Sequence, residues 1–212
     1  MKTIIIFVIL ILLSGCSFKT PKNEWQYKSA SAFNSYKKNL LSGNKLLAKN
    51  DLSRAIKHSK KSANLTQLAK IYLGVSALNI AIGIDDKCLK YKNISQLLNN
   101  KELESYYALM THSIKKEKVE FLPEDYKEFA NHLIKKDFKN LDKTILSMKS
   151  TTSMMVSSAL TKDKISQKTK DEIVRIASFN GYKKVVLFWL NENLKNTNDK
   201  NINKKITILE AK

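Results

Sequence analysis

The side chains of this 212-residue chain that could carry chemistry are few: Cys16 and Cys88, the isolated histidines His58, His112 and His132, and Glu104 within Glu104-Ser105-Tyr106-Tyr107. No His-x-x-x-His pair and no cysteine cluster stands at metal-ligand spacing, so no metal site is expected. Five Gly, one of them in the first sixteen residues, cannot supply a nucleophile elbow, a phosphate-cradling loop or a dinucleotide fingerprint. Cys88 has Leu89 and Tyr91 beside it and no activating histidine, the setting of a buried small hydrophobe rather than a reactive thiol. No catalytic residue and no cofactor are assigned, and the chain is expected not to be an enzyme.

Cys16 is different because of what precedes it. Met1-Lys2-Thr3 is a short positive start, Ile4 to Leu13 an unbroken apolar run, and Ser14 and Gly15 are small residues leading to the cysteine. Ten apolar residues fit the h-region of an export signal and fall short of the ~20 that span a bilayer as a helix. The tetrapeptide Leu13-Ser14-Gly15-Cys16 resembles the bacterial lipobox. The resemblance is confined to the leader and implies diacylglycerol transfer to the Cys16 thiol, cleavage after residue 15, and acylation of the new amino terminus by a palmitate-class chain. Each buried CH₂ contributes about 0.8 kcal/mol, and a multiply acylated cysteine supplies in one residue the two signals that stable anchoring needs. Ser17, being other than Asp, implies forwarding to the outer membrane, facing the periplasm, in double-membrane bacteria; display at the cell surface stays open.

These residues must be presented by a fold, and the composition points to helices. Two Pro and five Gly are too few for a turn-dense β-sandwich, two Cys cannot form a disulfide scaffold, and 43% hydrophobic residues suffice for one core. Residues 16–23, with Pro21, read as a spacer after the cleaved segment 1–15. From Glu24 to Asn196 apolar residues recur at steps of three and four, giving one all-α domain. The plainest stripe is Tyr126, Phe129, Ala130, Leu133 and Ile134, introduced by Pro123 with Glu124 and Asp125 in the first turn. Leu103, Tyr106, Tyr107, Met110 and Ile114 form another; Phe138, Leu141, Ile145 and Met148 a third; Tyr182, Val185, Val186, Trp189 and Leu190 a fourth.

Ile71 to Ile84 carries no charge and is too short to span a membrane, so it should be a helix buried on all sides at the centre of the domain. Trp25 and Trp189 are expected in the core. Ser147 to Thr161 fits a loop or a small-residue helix, and residues 197–212 a polar tail or weak terminal helix.

Four segments, starting at Asn50, Lys92, Lys136 and Asn180, share a polar pair followed by apolar positions and lie 42 to 44 residues apart. The first and last resemble the turn of tetratricopeptide repeats, with Ala55, Ser59 and Ala63 as small packing residues. The spacing departs from the ~34 residues of that family and lies nearer other helical repeats. The expected fold is therefore all-α, with stacked antiparallel helical hairpins in a tetratricopeptide-like array, an irregular α-solenoid or a bundle.

The net charge of +19, which falls to +18 when Lys2 leaves with the leader, invites a polyanion. Only Arg54 and Arg175 are arginines, whereas bidentate phosphate and base recognition favours Arg. Nucleic acid is not expected as a partner. Anionic lipid headgroups or another anionic envelope polymer fit better, through long-range attraction that fades with salt.

Glu104-Ser105-Tyr106-Tyr107 is also similar to the Glu-Ser-x-aromatic step of lytic transglycosylases, in which one Glu protonates the glycosidic oxygen. In that family an Asn-Ile motif follows the Glu, whereas Asn79-Ile80 precedes it here, and Leu103, Tyr106 and Tyr107 stand at core spacing, which turns Glu104 to solvent. The expectation is instead a membrane-anchored envelope lipoprotein, held by acylated Cys16, that binds an envelope protein as a scaffold or as an assembly or stability factor. Small lipoproteins with tetratricopeptide-like domains resemble outer-membrane assembly factors and secretin pilotins, which implies such a role. A surface adhesin or host-interacting lipoprotein is the alternative, and a peptidoglycan-binding or transglycosylase-like protein the weaker third.

Overall fold

The computed structural model describes residues 23–197 and 199–211; the leader and Cys16 lie outside them. The described residues are helical and contain no strand. In chain order the helices are α1 (Glu24–Ser42), α2 (Lys45–Lys61), α3 (Leu65–Ala81), α4 (Leu89–Ser95), α5 (Lys101–Met110), α6 (Glu124–Lys135), α7 (Leu141–Leu146), α8 (Thr151–Leu160), α9 (Gln167–Phe179), α10 (Lys183–Asn196) and α11 (Lys200–Glu210). Short 3₁₀ turns, Lys116–Phe121 and Phe138–Asn140, precede α6 and α7.

The uncharged run of residues 71–84 places α3 at the centre. Leu68, Ala69, Ile71, Leu73, Ala77, Leu78 and Ala81 are all buried, on more than one face, and α3 packs against α1, α2, α4, α5 and α8. Helices α1 and α2 form the most extensive hairpin, closed by Gly43 in the left-handed region (φ 90°), where the amides of Gly43 and Asn44 reach back to the carbonyls of Leu40 and Asn39. A second antiparallel pair, α9 and α10, turns at Gly181 (φ 68°), and α10 packs back onto α1. In an open solenoid each repeat touches only its neighbours. The α3–α8 and α10–α1 packing is that of hairpins gathered into an irregular bundle.

The stripe at Tyr126, Phe129 and Ala130 is buried on α6, and Trp189 on α10 is fully enclosed. Trp25 is only half-buried, because it sits in the first turn of α1, where Glu24, Gln26, Tyr27 and Lys28 are all exposed and Ser29 is the first buried residue. Residues 147–161 supply α8, whose Ser153, Ser157 and Ser158 are buried and allow close approach to α3. The chain ends in α11, with Ile206 buried.

Of the four repeated segments, those at Lys136 and Asn180 are turns between helices. The segment at Asn50 lies in the middle of α2 and the one at Lys92 runs out of α4, so the 42-to-44-residue spacing does not mark four equivalent hairpins. The reason for the first is physical. Ala48, Leu52, Ala55 and Ile56 face inward at helical spacing, so Asn50 and Asp51 continue the helix, with the Asp51 carboxylate buried and bonded by Asn39 and Arg54.

Candidate functional site

Asn100 accepts from the Leu103 amide at 2.9 Å and so caps α5; Ser150 accepts from the Ser153 amide at 3.3 Å and caps α8. Between them, Asp125 in the first turn of α6 accepts from the amides of Lys149 at 3.2 Å and Ser150 at 3.0 Å. The Asp125 bonds tie the start of α6 to that of α8, and together with the capped start of α5 these border a cleft of about 610 Å³. Its apolar lining is Leu73, Gly74, Leu103, Tyr106, Phe121, Leu122 and Tyr126; Lys70, Glu102, Ser150 and Thr152 form its polar positions.

Tyr106 and Tyr126 set the character of this cleft. Burial pushes both phenols up, that of Tyr106 well above the ordinary tyrosine range, so each stays neutral and can donate or accept a hydrogen bond. Gly74 is required here by close approach: a Cβ at that position would come within 2.5 Å of Phe33 Cζ, the ring that backs α3 from α1. Lys101 places its Nζ 5.0 Å from the centroid of Phe121. An apolar trough with two neutral phenols and a mixed-charge rim suits apolar side chains of a peptide segment, with one or two hydrogen bonds to orient it.

A second cleft, of about 350 Å³, opens where α3 ends, lined by Ile84, Asp85, Asp86, Thr111, His112, Lys162 and Phe188 among others. Its polar groups are engaged internally. Asp86 accepts from the Ser76 hydroxyl at 2.8 Å, the Asn79 amide group at 2.7 Å and the Cys88 backbone N–H at 2.8 Å, and Asp85 pairs with Lys87 at 2.8 Å. Burial of Asp86 works against its charge, but these three hydrogen bonds and nearby Lys90 outweigh it and hold the carboxyl below its ordinary range. This is a clasp for the connection from α3 to α4.

The residues singled out for chemistry are kept apart. Cys88 is fully buried in the left-handed region (φ 53°), and burial raises its thiol pKa. Glu104 keeps 45% of its side-chain surface exposed, with Lys118 Nζ at 3.8 Å, and Asn79 is committed to Asp86. His58 is half-buried between α1 and α2, His112 is exposed, and His132 Nδ1 lies 3.0 Å from Asp137 at the end of α6. Among the described residues no group of three or more His, Cys, Asp or Glu side chains is placed to hold a metal ion, and no helix is long and apolar enough to cross a membrane.

Comparison with known proteins returns no matching family model, no matching curated protein and no matching solved structure. The described residues offer two faces on which a function can be read, the α5–α6–α8 cleft and the outer side of α2. The cleft was not visible in the sequence, because its walls come from residues 70–74, 102–106, 121–126 and 150–153, each of which reads alone as ordinary core or cap.

Proposed function

We propose that this chain is a membrane-anchored envelope lipoprotein that binds a segment of another envelope protein and serves as a scaffold or assembly factor for its complex. The anchoring half rests on residues 1–16, where charge, a ten-residue apolar run, small residues and Cys16 agree. The binding half is carried by one observation: an apolar cleft of about 610 Å³ with two neutral tyrosines, built at the starts of three helices. Half-buried Glu104 beside Lys118, with Asn79 held by Asp86, gives no support to glycosidic bond cleavage. Recognition of a helix or extended segment by such a trough relies on alternate apolar anchors, with the polar rim fixing direction.

The test is photocrosslinking in cells, with a crosslinking amino acid at Thr152 in the cleft, at Lys139 on an exposed surface for comparison, and in a Cys16→Ala background. One stoichiometric envelope protein captured from Thr152, absent from Lys139 and reduced by Cys16→Ala, is the expected result. Equal capture from both positions, or recovery of only cell-wall fragments, overturns the scaffold reading.

A further inference from the structure

The outer side of α2 carries large aliphatics as well as charge. Its inner face packs Ala48, Leu52, Ala55 and Ile56 with Asp51 and Ser59, while Leu46 and Leu47 stand 72% and 54% exposed in its first turn. Lys45, Lys49, Lys57, Lys60 and Lys61 are exposed on the same helix, and its one acid, Asp51, is buried and held by Asn39 at 2.7 Å and Arg54 at 2.5 Å. The solvent side of α2 thus combines large aliphatics with cations and shows no carboxylate. The other end of the hairpin adds Tyr27, 64% exposed, beside His58 and Arg54.

We infer that the outer face of α2 lies on an anionic phospholipid surface, with the lysines at the headgroups and Leu46 and Leu47 entering the acyl boundary. Charge complementarity selects the occupant: a protein interface core is depleted in Lys, whereas an interfacial helix combines Lys with Leu and aromatic residues. The position of the chain's entry agrees. The described residues begin at Asn23, immediately before α1, whose first-turn Glu24 pairs with Lys28 and lies near Lys61 at the end of α2. Six residues lie between Cys16 and Asn23, so seven chain steps give a reach of up to about 25 Å, comparable with the ~26 Å length of α2, and a helix lying flat beside the anchor is within reach. This inference rests on the anchored-lipoprotein reading and adds an orientation: α2 down, the α5–α6–α8 cleft on another side of the bundle.

The test uses the mature chain with Cys16→Ala, so that no acyl chain contributes, in flotation with phosphatidylglycerol vesicles and with phosphatidylcholine vesicles. Binding to phosphatidylglycerol is expected to be at least about tenfold stronger and to weaken steeply with salt. The triple variant Lys57→Glu/Lys60→Glu/Lys61→Glu should lose that preference, while Lys116→Glu/Lys135→Glu/Lys139→Glu, equal in charge and elsewhere on the surface, should keep most of it. Circular dichroism confirms that both variants remain helical. Brominated acyl chains should quench Trp25, since Trp189 is enclosed, and Leu46→Ser/Leu47→Ser should reduce the quenching.

Equal loss in both triple variants, no preference between the two lipids, or binding only to lipopolysaccharide or peptidoglycan overturns the inference. Mass spectrometry of Cys16 from native membranes reads the anchor independently. An acylated Cys16 with no vesicle binding by the unacylated chain rejects the α2 face and leaves the anchor standing; an unmodified Cys16 rejects the anchor whatever the vesicles show.

Discussion

Tyr106 meets Tyr126 edge to face, with ring centroids 5.4 Å apart and hydroxyl oxygens 3.3 Å apart, and both rings line the cleft bounded by α3, α5, α6 and α8. Twenty residues of sequence separate them, and the 3₁₀ turn between brings Phe121 and Leu122 into the same wall. The pair is half core and half surface. Truncating either ring would cost about 3 to 5 kcal/mol through the cavity it leaves, and a loss of binding could then not be told from a loss of fold.

Filling the cleft from its rim separates the two. Thr152 is half-buried at the start of α8 and makes no side-chain hydrogen bond that the fold depends on. Thr152→Arg is expected to shift the thermal midpoint by no more than a few degrees and to abolish capture of the partner from the cleft. A partner still crosslinked at full yield from another rim position, such as Glu102, would show that its binding does not depend on the cleft interior.

Asp125 offers the converse case. Its carboxylate accepts the amides of Lys149 and Ser150, 24 and 25 residues along the chain, and thereby ties the start of α6 to the cap of α8. Asp125→Ala should cost about 1 to 2 kcal/mol from two lost charge-assisted bonds and weaken partner capture as the wall loosens. Asp125→Asn keeps one acceptor and should fall between. Denaturant unfolding measures the first effect, and crosslinking yield at a temperature where all three proteins remain folded measures the second.

The elements that were legible in the sequence are those whose buried face is large and apolar. Tyr126, Phe129 and Ala130 announce α6 by their spacing, and the charge-free run 71–84 announces the central helix, because α3 packs against five neighbours and its only charge, exposed Lys70, stands before that run. The turn expected at Asn50-Asp51 falls inside α2, since that pair is turn chemistry by composition whereas the inward stripe of Ala48, Leu52, Ala55 and Ile56 runs through it. Its identity comes from the partner helix: Ser29 donates to the Ala55 carbonyl at 3.0 Å and Asn39 donates to Asp51, contacts that exist only once α1 is alongside. The cleft was illegible for a related reason, being a product of four segments, the caps at Asn100 and Ser150 and the Asp125 bridge. Residues 1–16 carry the local charge, apolar length and small side chains by which an export signal is proposed, and they lie outside the described residues.

Gly83 is a position where a single methyl group should matter. Its φ of 83° lies in the left-handed region, and a Cβ there would come within 2.3 Å of Phe188 Cδ2. Phe188 itself stacks at 4.9 Å on Trp189, which is fully enclosed, so the ring has little freedom to retreat. Gly83→Ala should therefore destabilise by about 2 to 3 kcal/mol, from backbone strain together with displacement of Phe188. By contrast Gly181, at φ 68° with open space around it, should lose about 1 kcal/mol on the same change, from strain alone. Equal losses at the two positions would show that Phe188 yields without cost.

Acid should act through Asp86. The carboxyl is held below its ordinary value, about 3.9, despite a burial penalty, by hydrogen bonds from Asn79, the Cys88 amide and Ser76 and by the charge of Lys90. A carboxyl that is more acidic in the folded chain than in the unfolded one binds fewer protons when folded. It contributes stability that is fully present above pH ~4 and is lost as pH falls through its folded value. Asp86→Asn retains a carbonyl acceptor but no charge, and its amide would point a donor at groups that already donate. At neutral pH the variant should lose about 1 to 3 kcal/mol. Its unfolding free energy should also change less with pH between about 5 and 2 than that of the parent chain, since the parent alone loses the Asp86 term there. Urea titrations at a series of pH values read both effects. A variant whose pH dependence matches the parent's would mean that the other acids carry the acid sensitivity, and that the clasp between α3 and α4 holds through its geometry without its charge.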